Sequence, residues 1–187
     1  MKRYVMFLLA ACCISWMLLA EETIERPFVF SWNVGIQQFL DDSYSDYYDY
    51  GVNASIAFEA KLTQFFAFGV KTGYFFHNHE DYHDTDFKGG YTNLLMILVL
   101  NAPKPVQAFF FAGPGMYYTY DDYYDYDDDY YYDRDDTDFY AGYTLGTGFE
   151  VMNKSGFSIG VQAVYHKVFA DPDYDVISGE MAIRYHF

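Results

Sequence analysis

The stretch Ile177-Ser178-Gly179-Glu180-Met181-Ala182-Ile183-Arg184-Tyr185-His186-Phe187 alternates residue by residue. Side chains in a strand point to opposite faces with a period of two. One face therefore carries Ile177, Gly179, Met181, Ile183, Tyr185 and Phe187, and the other Ser178, Glu180, Ala182, Arg184 and His186. A soluble barrel hides its apolar set inside, yet the alternate set here holds an acid, a base and an imidazole. Such a strand suits a bilayer outside and a polar lumen inside.

Seven further segments carry the same pattern at the length a tilted membrane strand needs. Residues 28–39 set Phe28, Phe30, Trp32, Val34 and Ile36 against Ser31, Asn33, Gly35 and Gln37. Residues 51–62 set Val52, Ala54, Ile56, Phe58 and Leu62 against Asn53, Ser55, Glu59 and Lys61. Residues 65–77 set Phe66, Phe68, Val70, Tyr74 and Phe76 against Gly69, Lys71, Gly73 and His77. Residues 91–101 contain Leu94 to Leu100, apolar on both faces, so period alone does not separate a strand from a buried helix; their place between hairpins argues for a strand. Residues 106–120 include Pro114, which predicts a bulge or a locally broken ladder. Residues 139–152 turn Ala141, Tyr143, Leu145, Phe149 and Val151 outward and three glycines, Thr144 and Glu150 inward, while residues 157–168 turn Ser158, Gly160, Gln162 and His166 inward.

The connections alternate in character. Short ones surround Thr63-Gln64, Ala102-Pro103-Lys104-Pro105 and Asn153-Lys154-Ser155-Gly156. Long ones at 41–50, 78–89, 121–138 and 169–176 carry 21 of the chain's 27 acids. Short turns at one end and long loops at the other are the outer-membrane pattern. The fold expected is all-β, an eight-stranded antiparallel up-and-down transmembrane β-barrel, whose even strand count returns both termini to the same, periplasmic, end.

At the N-terminus, Lys2-Arg3 precede an apolar run from Tyr4 to Ala20, closed by Glu21-Glu22. This reads as a secretory signal peptide over residues 1–20, leaving a barrel domain over 21–187. A transmembrane anchor is the rival, since the run is at the short end for a spanning helix. Leu9-Ala10-Ala11-Cys12 is similar to a bacterial lipoprotein cleavage box, but the residues after Cys12 stay apolar. Both cysteines lie in this segment, so a chain cleaved after Ala20 has no disulfide or thiol chemistry. With 27 acids against 11 Lys and Arg, a nucleic-acid partner is excluded by charge.

The alternation, the loop asymmetry and the terminal aromatic together resemble the small eight-stranded outer-membrane barrels, the class of the OmpA membrane domain and OmpX. The likeness runs from about Phe28 to Phe187, without the peptidoglycan-binding domain of OmpA. Phe111-Ala112-Gly113-Pro114-Gly115-Met116-Tyr117 is also similar to a strand of the generic outer-membrane barrel domain. The resemblance implies a bacterial outer-membrane location and an assembly signal at Ile183, Tyr185 and Phe187. It further implies periplasmic chaperones, the barrel-assembly machinery, outer-membrane lipids and lipopolysaccharide as partners. The class hosts adhesins, lipid enzymes and plain structural proteins, so architecture alone does not give a role.

The lumen is expected to hold Glu59, Glu150 and Glu180 with Lys61, Lys71 and Arg184, three acids against three bases. Unpaired charge in such an interior is costly, so a packed ion-pair core is the bland reading and a narrow solute or ion channel the sharper one. Glu59 and Glu150 should lie near the level of Arg184. In the third long loop ten of eighteen residues are Asp and most of the rest Tyr. Asp125, Asp127 and Asp129 have the alternate spacing that suits calcium or another divalent cation, although the glycine and distal glutamate of an EF-hand are missing. A solvated acidic loop is the bland alternative. Tyrosine also supplies contact area at low entropy cost, which fits an extracellular glycan or protein ligand. His77, His79 and His83, beside Glu80, Asp81 and Asp84, could ligate a transition metal, the alternative being simple solvation. A lipid A-modifying enzyme would need a histidine, a serine and a carboxylate together. Within strands, Ser158 and His166, or Ser178 and His186, stand roughly 26 Å apart, too far for proton transfer; cross-strand partners need the register. The reading is a non-catalytic protein without a required cofactor, giving structural support and surface interaction through its loops, by adhesion or by cation and lipopolysaccharide contact.

Overall fold

The computed structural model describes residues 24–41, 48, 50–78, 87–102, 104–121 and 137–187. The expected signal peptide, Cys12, Asp125, Asp127, Asp129, His79 and His83 lie outside the described residues. Eight strands run in order: β1 Phe28–Phe39, β2 Gly51–Lys61, β3 Phe66–His77, β4 Phe87–Leu100, β5 Val106–Asp121, β6 Thr137–Met152, β7 Phe157–Val168 and β8 Tyr174–His186. Each pairs antiparallel with its chain neighbour, and β1 pairs with β8 to close a barrel. At the seam the Phe28 N–H donates to the Phe187 carbonyl (3.0 Å) and the Phe187 N–H to the Phe28 carbonyl (2.9 Å). Closure leaves no edge, which is what lets a sheet live in lipid.

Alternation places the side chains throughout. Outward residues such as Trp32, Ile36 and Met181 are 52%, 62% and 61% exposed, while inward Asn33, Gln37, Glu180 and Arg184 are buried. So wide an apolar exterior is unfavourable in water and is the expected contact in a bilayer. Rings band both margins: Phe28 with Phe58 (5.7 Å) and Phe157 with Tyr185 (4.6 Å) at the turn end, Tyr143 with Tyr165 (6.1 Å) and with Phe169 (6.0 Å) at the loop end. Aromatic girdles at both interfaces belong to this architecture.

The segment that is apolar on both faces is a strand. Leu94, Met96, Leu98 and Leu100 face out, while Leu95, Ile97 and Val99 point in and pack with Phe109 and Phe111. Pro114 interrupts the ladder without a bulge. Pairing between β4 and β5 lapses after Asn93↔Gly115 and resumes at Met96↔Ala112 in unchanged register. Proline has no N–H to give, and no extra residue is needed to absorb that.

Several strands reach further toward the loops than their sequence suggests. β4 begins at Phe87 rather than Tyr91, β6 at Thr137 rather than Phe139, and β8 at Tyr174 rather than Ile177. The added residues include Lys88-Gly89-Gly90 and Asp175, poor strand formers that the neighbouring ladders hold extended. The opposite ends are tight. Asn153 Oδ1 accepts the Ser155 N–H (2.9 Å) and the Phe157 N–H (3.1 Å), and Gly156 takes φ 93°, a conformation natural to glycine. Inward glycines also make room for rings: a Cβ on Gly51 would lie 2.6 Å from the His77 imidazole, and one on Gly73 2.6 Å from the Tyr91 ring.

The outward assignment has a direct test. Val34 lies mid-strand and outward, 60% exposed. Val34→Arg should destabilise the barrel by about 2–4 kcal/mol in lipid vesicles, as charges do on a lipid face near the midplane. Denaturant titration followed by gel mobility measures this, and an unchanged midpoint would mean that this face meets water.

Candidate functional site in the barrel lumen

Strand register brings the inward polar residues together in three tiers. At the turn end, Arg184 of β8 reaches Glu59 of β2 (2.5 Å) and Glu150 of β6 (3.3 Å). Its guanidinium also lies 4.9 Å from the centroid of the Phe109 ring, so the charge rests against the apolar wall of β4 and β5. Glu150 Oε2 further accepts the Ser158 hydroxyl (2.6 Å) and faces His186 Nε2 (3.2 Å), while Lys61 Nζ donates to His186 Nδ1 (3.1 Å).

In the middle tier, Lys71 of β3 pairs with Glu180 of β8 at 2.6 Å. Glu180 also accepts from Gln162 (2.6 Å), Ser178 (3.2 Å) and Asn53 (3.5 Å). A buried carboxylate surrounded in this way has its ion pair supplemented by hydrogen bonds, the condition under which such a pair is tolerable. Between these two tiers lies a cavity of about 20 Å³, bordered by Ser31, Asn33, Glu59, Lys71, Gln162 and Arg184. That is room for roughly one water and far from a solute passage.

The upper tier holds amides, imidazoles and a phenol in place of ion pairs. Asn53 donates to Gln37 Oε1 (3.1 Å), and Gln37 Nε2 lies 2.7 Å from His77 Nε2. Nearby, Tyr117 OH and His166 Nδ1 are 2.9 Å apart. Above His77 an aromatic cluster of Phe39, Phe75, Phe87 and Tyr174 fills the loop-end mouth. His77 itself is fully buried and points inward, so its imidazole belongs to the lumen rather than to the long loop that follows. Among the described residues no group of three His, Cys, Asp or Glu side chains is arranged to hold a metal.

One constellation was not legible in the sequence. Ser158, His186 and Glu150 come together across β7, β8 and β6, with Ser158 Oγ 3.1 Å from His186 Nε2. Ser158 pairs directly with Arg184, and Glu150 pairs with Gly160, so the three are diagonal neighbours on one face. Spacing within a strand could not show this; only the register does. The wiring nevertheless opposes nucleophilic chemistry. Lys61 donates to Nδ1, which leaves the imidazole proton on Nε2, facing Glu150 and Ser158. That nitrogen then has no lone pair to take the serine proton, and the hydroxyl already donates to the carboxylate. All three side chains are buried.

These contacts make Arg184 the residue whose loss should cost most. Arg184→Met leaves Glu59 and Glu150 facing each other in the lumen, a situation worth about 3–5 kcal/mol of destabilisation. The temperature at which the folded band converts to the unfolded one on SDS gels should fall, and adding Glu59→Gln should recover part of the loss. An unaltered transition in the single variant would show that the pairing carries no weight.

No protein-family model matches the chain, and no curated protein matches it in sequence. Solved structures do match in shape. Neisserial surface protein A superposes with a TM-score of 0.67 at 14% identity, covering 86% of this chain and 97% of its own. Ail, the attachment invasion locus protein of Yersinia pestis, gives 0.60 at 12% identity, covering 88% and 100%. The N-terminal β-barrel domain of Pseudomonas aeruginosa OprF gives 0.53 at 12% identity, covering 86% and 98%. At these identities the likeness speaks for architecture, and in architecture this chain is a small eight-stranded barrel of the outer-membrane kind.

Proposed function

We propose that the chain is a non-catalytic protein of a bacterial outer membrane, with termini and tight turns toward the periplasm. It gives structural support and takes part in surface interaction through its acidic, tyrosine-rich loops. The observation that carries this reading is the segregation of its chemistry. The outer wall is apolar, the lumen is occupied by its own ion pairs, and 18 of the 27 acids fall in the connections that follow β1, β3, β5 and β7. A filled lumen argues against a solute channel, and the wiring of Ser158, His186 and Glu150 argues against a lipid-modifying enzyme. Ile183, Tyr185 and Phe187 remain the proposed signal for the assembly machinery and its chaperones.

The charge also narrows the partner. Ail was solved in complex with sucrose octasulfate, a heparin analogue, which is a polyanion. The loops of this chain would repel such a ligand. At the loop-end rim Lys167 is already bound to Asp175 (2.8 Å) and lies 3.7 Å from Asp173. Contact with lipopolysaccharide phosphates would therefore run through divalent cations, with the Asp-rich segment around Asp125, Asp127 and Asp129 as the proposed ligands. A basic protein surface is the other partner these loops would accept.

Two measurements test the reading. The protein should fractionate with the outer membrane and migrate differently on SDS gels when boiled and unboiled; a soluble periplasmic protein without that shift would overturn the membrane assignment. Purified barrel should bind lipopolysaccharide vesicles in millimolar calcium and release them on chelation, with Asp125→Asn/Asp127→Asn/Asp129→Asn weakening the calcium dependence. Binding that ignores calcium would remove the cation from the mechanism.

A further inference from the structure

The cavity between the lower and middle tiers has an identifiable cause. Register places Arg184 of β8, Ser31 of β1, Ala57 of β2 and Lys71 of β3 side by side on one inward row. Ala57 is the short member of that row. Its methyl group stands where its neighbours carry a hydroxyl and an ammonium, and the cavity of about 20 Å³ borders it. Neither long cation is free to fill the space. Lys71 is committed to Glu180 (2.6 Å), and Arg184 to Glu59 (2.5 Å) and Glu150 (3.3 Å). Leu95, Ile97, Phe109 and Phe111 close the other side.

The polar groups on the cavity wall have bonding capacity left over. An ammonium has three protons to give, and among the described residues Lys71 Nζ has one hydrogen-bond partner, Glu180 Oε2. Glu59 bonds Arg184 through Oε2, and its Oε1 has no partner among the described residues. Ser31 is buried, and its hydroxyl likewise has no hydrogen-bond partner among the described residues. Buried polar groups are rarely left in this state. A donor with spare protons, an acceptor with spare lone pairs and a hydroxyl that can do either surround a space one water wide, which is the setting a buried water takes. We propose that the cavity binds one water molecule, which accepts from Lys71 Nζ, donates to Glu59 Oε1 and takes the Ser31 hydroxyl as its third partner.

Charge decides against an ion in this place. Glu59, Glu150 and Glu180 are matched by Lys61, Lys71 and Arg184, so an ion of either sign would enter without a counter-charge of its own. Size decides against a larger solute, and the apolar side offers a second water nothing to bond. The consequence is a link that no side chain supplies. Among the described residues no direct hydrogen bond joins the Lys71–Glu180 pair to the Glu59–Arg184 pair. With the water between them, one chain of polar contacts runs from His186 and Glu150 at the turn end through Arg184 and Glu59. It continues through Lys71 and Glu180 to Asn53, Gln37 and His77. Cross-lumen partners on different tiers are then positioned together rather than separately. The site goes beyond the surface-interaction reading and stands whether or not the loops bind anything.

Crystals of the refolded wild-type barrel that resolve ordered solvent test this directly. Density for one molecule within hydrogen-bonding distance of Lys71 Nζ and of Glu59 or Ser31 is expected. A cavity without density overturns the proposal. So does an anomalous peak there after a bromide soak, which would make it an anion site. Oxygen-17 relaxation dispersion supplies the second readout, because it counts long-lived waters in the detergent-solubilised barrel. Ala57→Val fills the cavity with the chain's own atoms and should lose one such water relative to wild type. An unchanged count would place the long-lived waters elsewhere and refute the site. The crystal test needs no variant, so it decides the matter where Ala57→Val does not fold.

Discussion

The structure hangs on its terminal strand, because β8 completes two closures at once. Its backbone joins β1 and removes the last open edge, without which a row of peptide groups would face lipid unpaired. Its inward side chains complete the polar lumen. Glu180 reaches β3, β2 and β7, Arg184 reaches β2 and β6, and His186 reaches β2, β6 and β7. A slip of one residue in the β1–β8 pairing would turn all three toward the bilayer. Ladder and lumen therefore demand the same register, and each penalises the errors the other would permit. Buried ion pairs are poor sources of net stability; here their value lies in this selection.

The lumen is polarised across its width as well as along its length. Charges sit on β2, β3, β6 and β8 in the lower and middle tiers, and the facing wall of β4 and β5 offers Leu95, Ile97, Val99, Phe109 and Phe111. The run that is apolar on both faces of β4 follows from this: one face meets lipid and the other forms the dry side of a narrow interior. Aliphatic and aromatic bulk there occupies the space that charged side chains would otherwise have to share with water. The cavity between the lower and middle tiers is what remains.

How far the sequence could be read follows from which interactions are local. Period two is a property of single strands, so the faces of β1, β2, β3, β7 and β8 were legible residue by residue, as were the three tight turns. Strand starts at the loop end were harder. Lys88-Gly89-Gly90 and Tyr174-Asp175-Val176 look like connection in isolation and become strand because neighbours are already extended beside them. Partnerships across the lumen depend on register, which is set by the whole ring of ladders. Nothing in the spacing of Ser158, Glu150 and His186 signals that they meet. His77 shows the same limit: the parity of β3 already turned it inward in the sequence, but its contact with Gln37 of β1 depends on register and could not be read from its neighbours His79 and Glu80.

An eight-stranded barrel leaves little freedom in its walls. Every outward position answers to lipid and every inward one to a partner across a narrow lumen. Chemistry that distinguishes one such protein from another is thereby displaced to the loops, where neither constraint applies. In this chain those segments hold acids far in excess of bases, and the rim base Lys167 is engaged by Asp173 and Asp175. Carboxylates crowded in that way repel one another as they repel phosphate and sulfate. The one arrangement that relieves both repulsions is a cation held between the loops and an anionic surface. On the proposed reading a bound cation is the condition for meeting lipopolysaccharide, whereas a neutral glycan or a basic protein surface would need none.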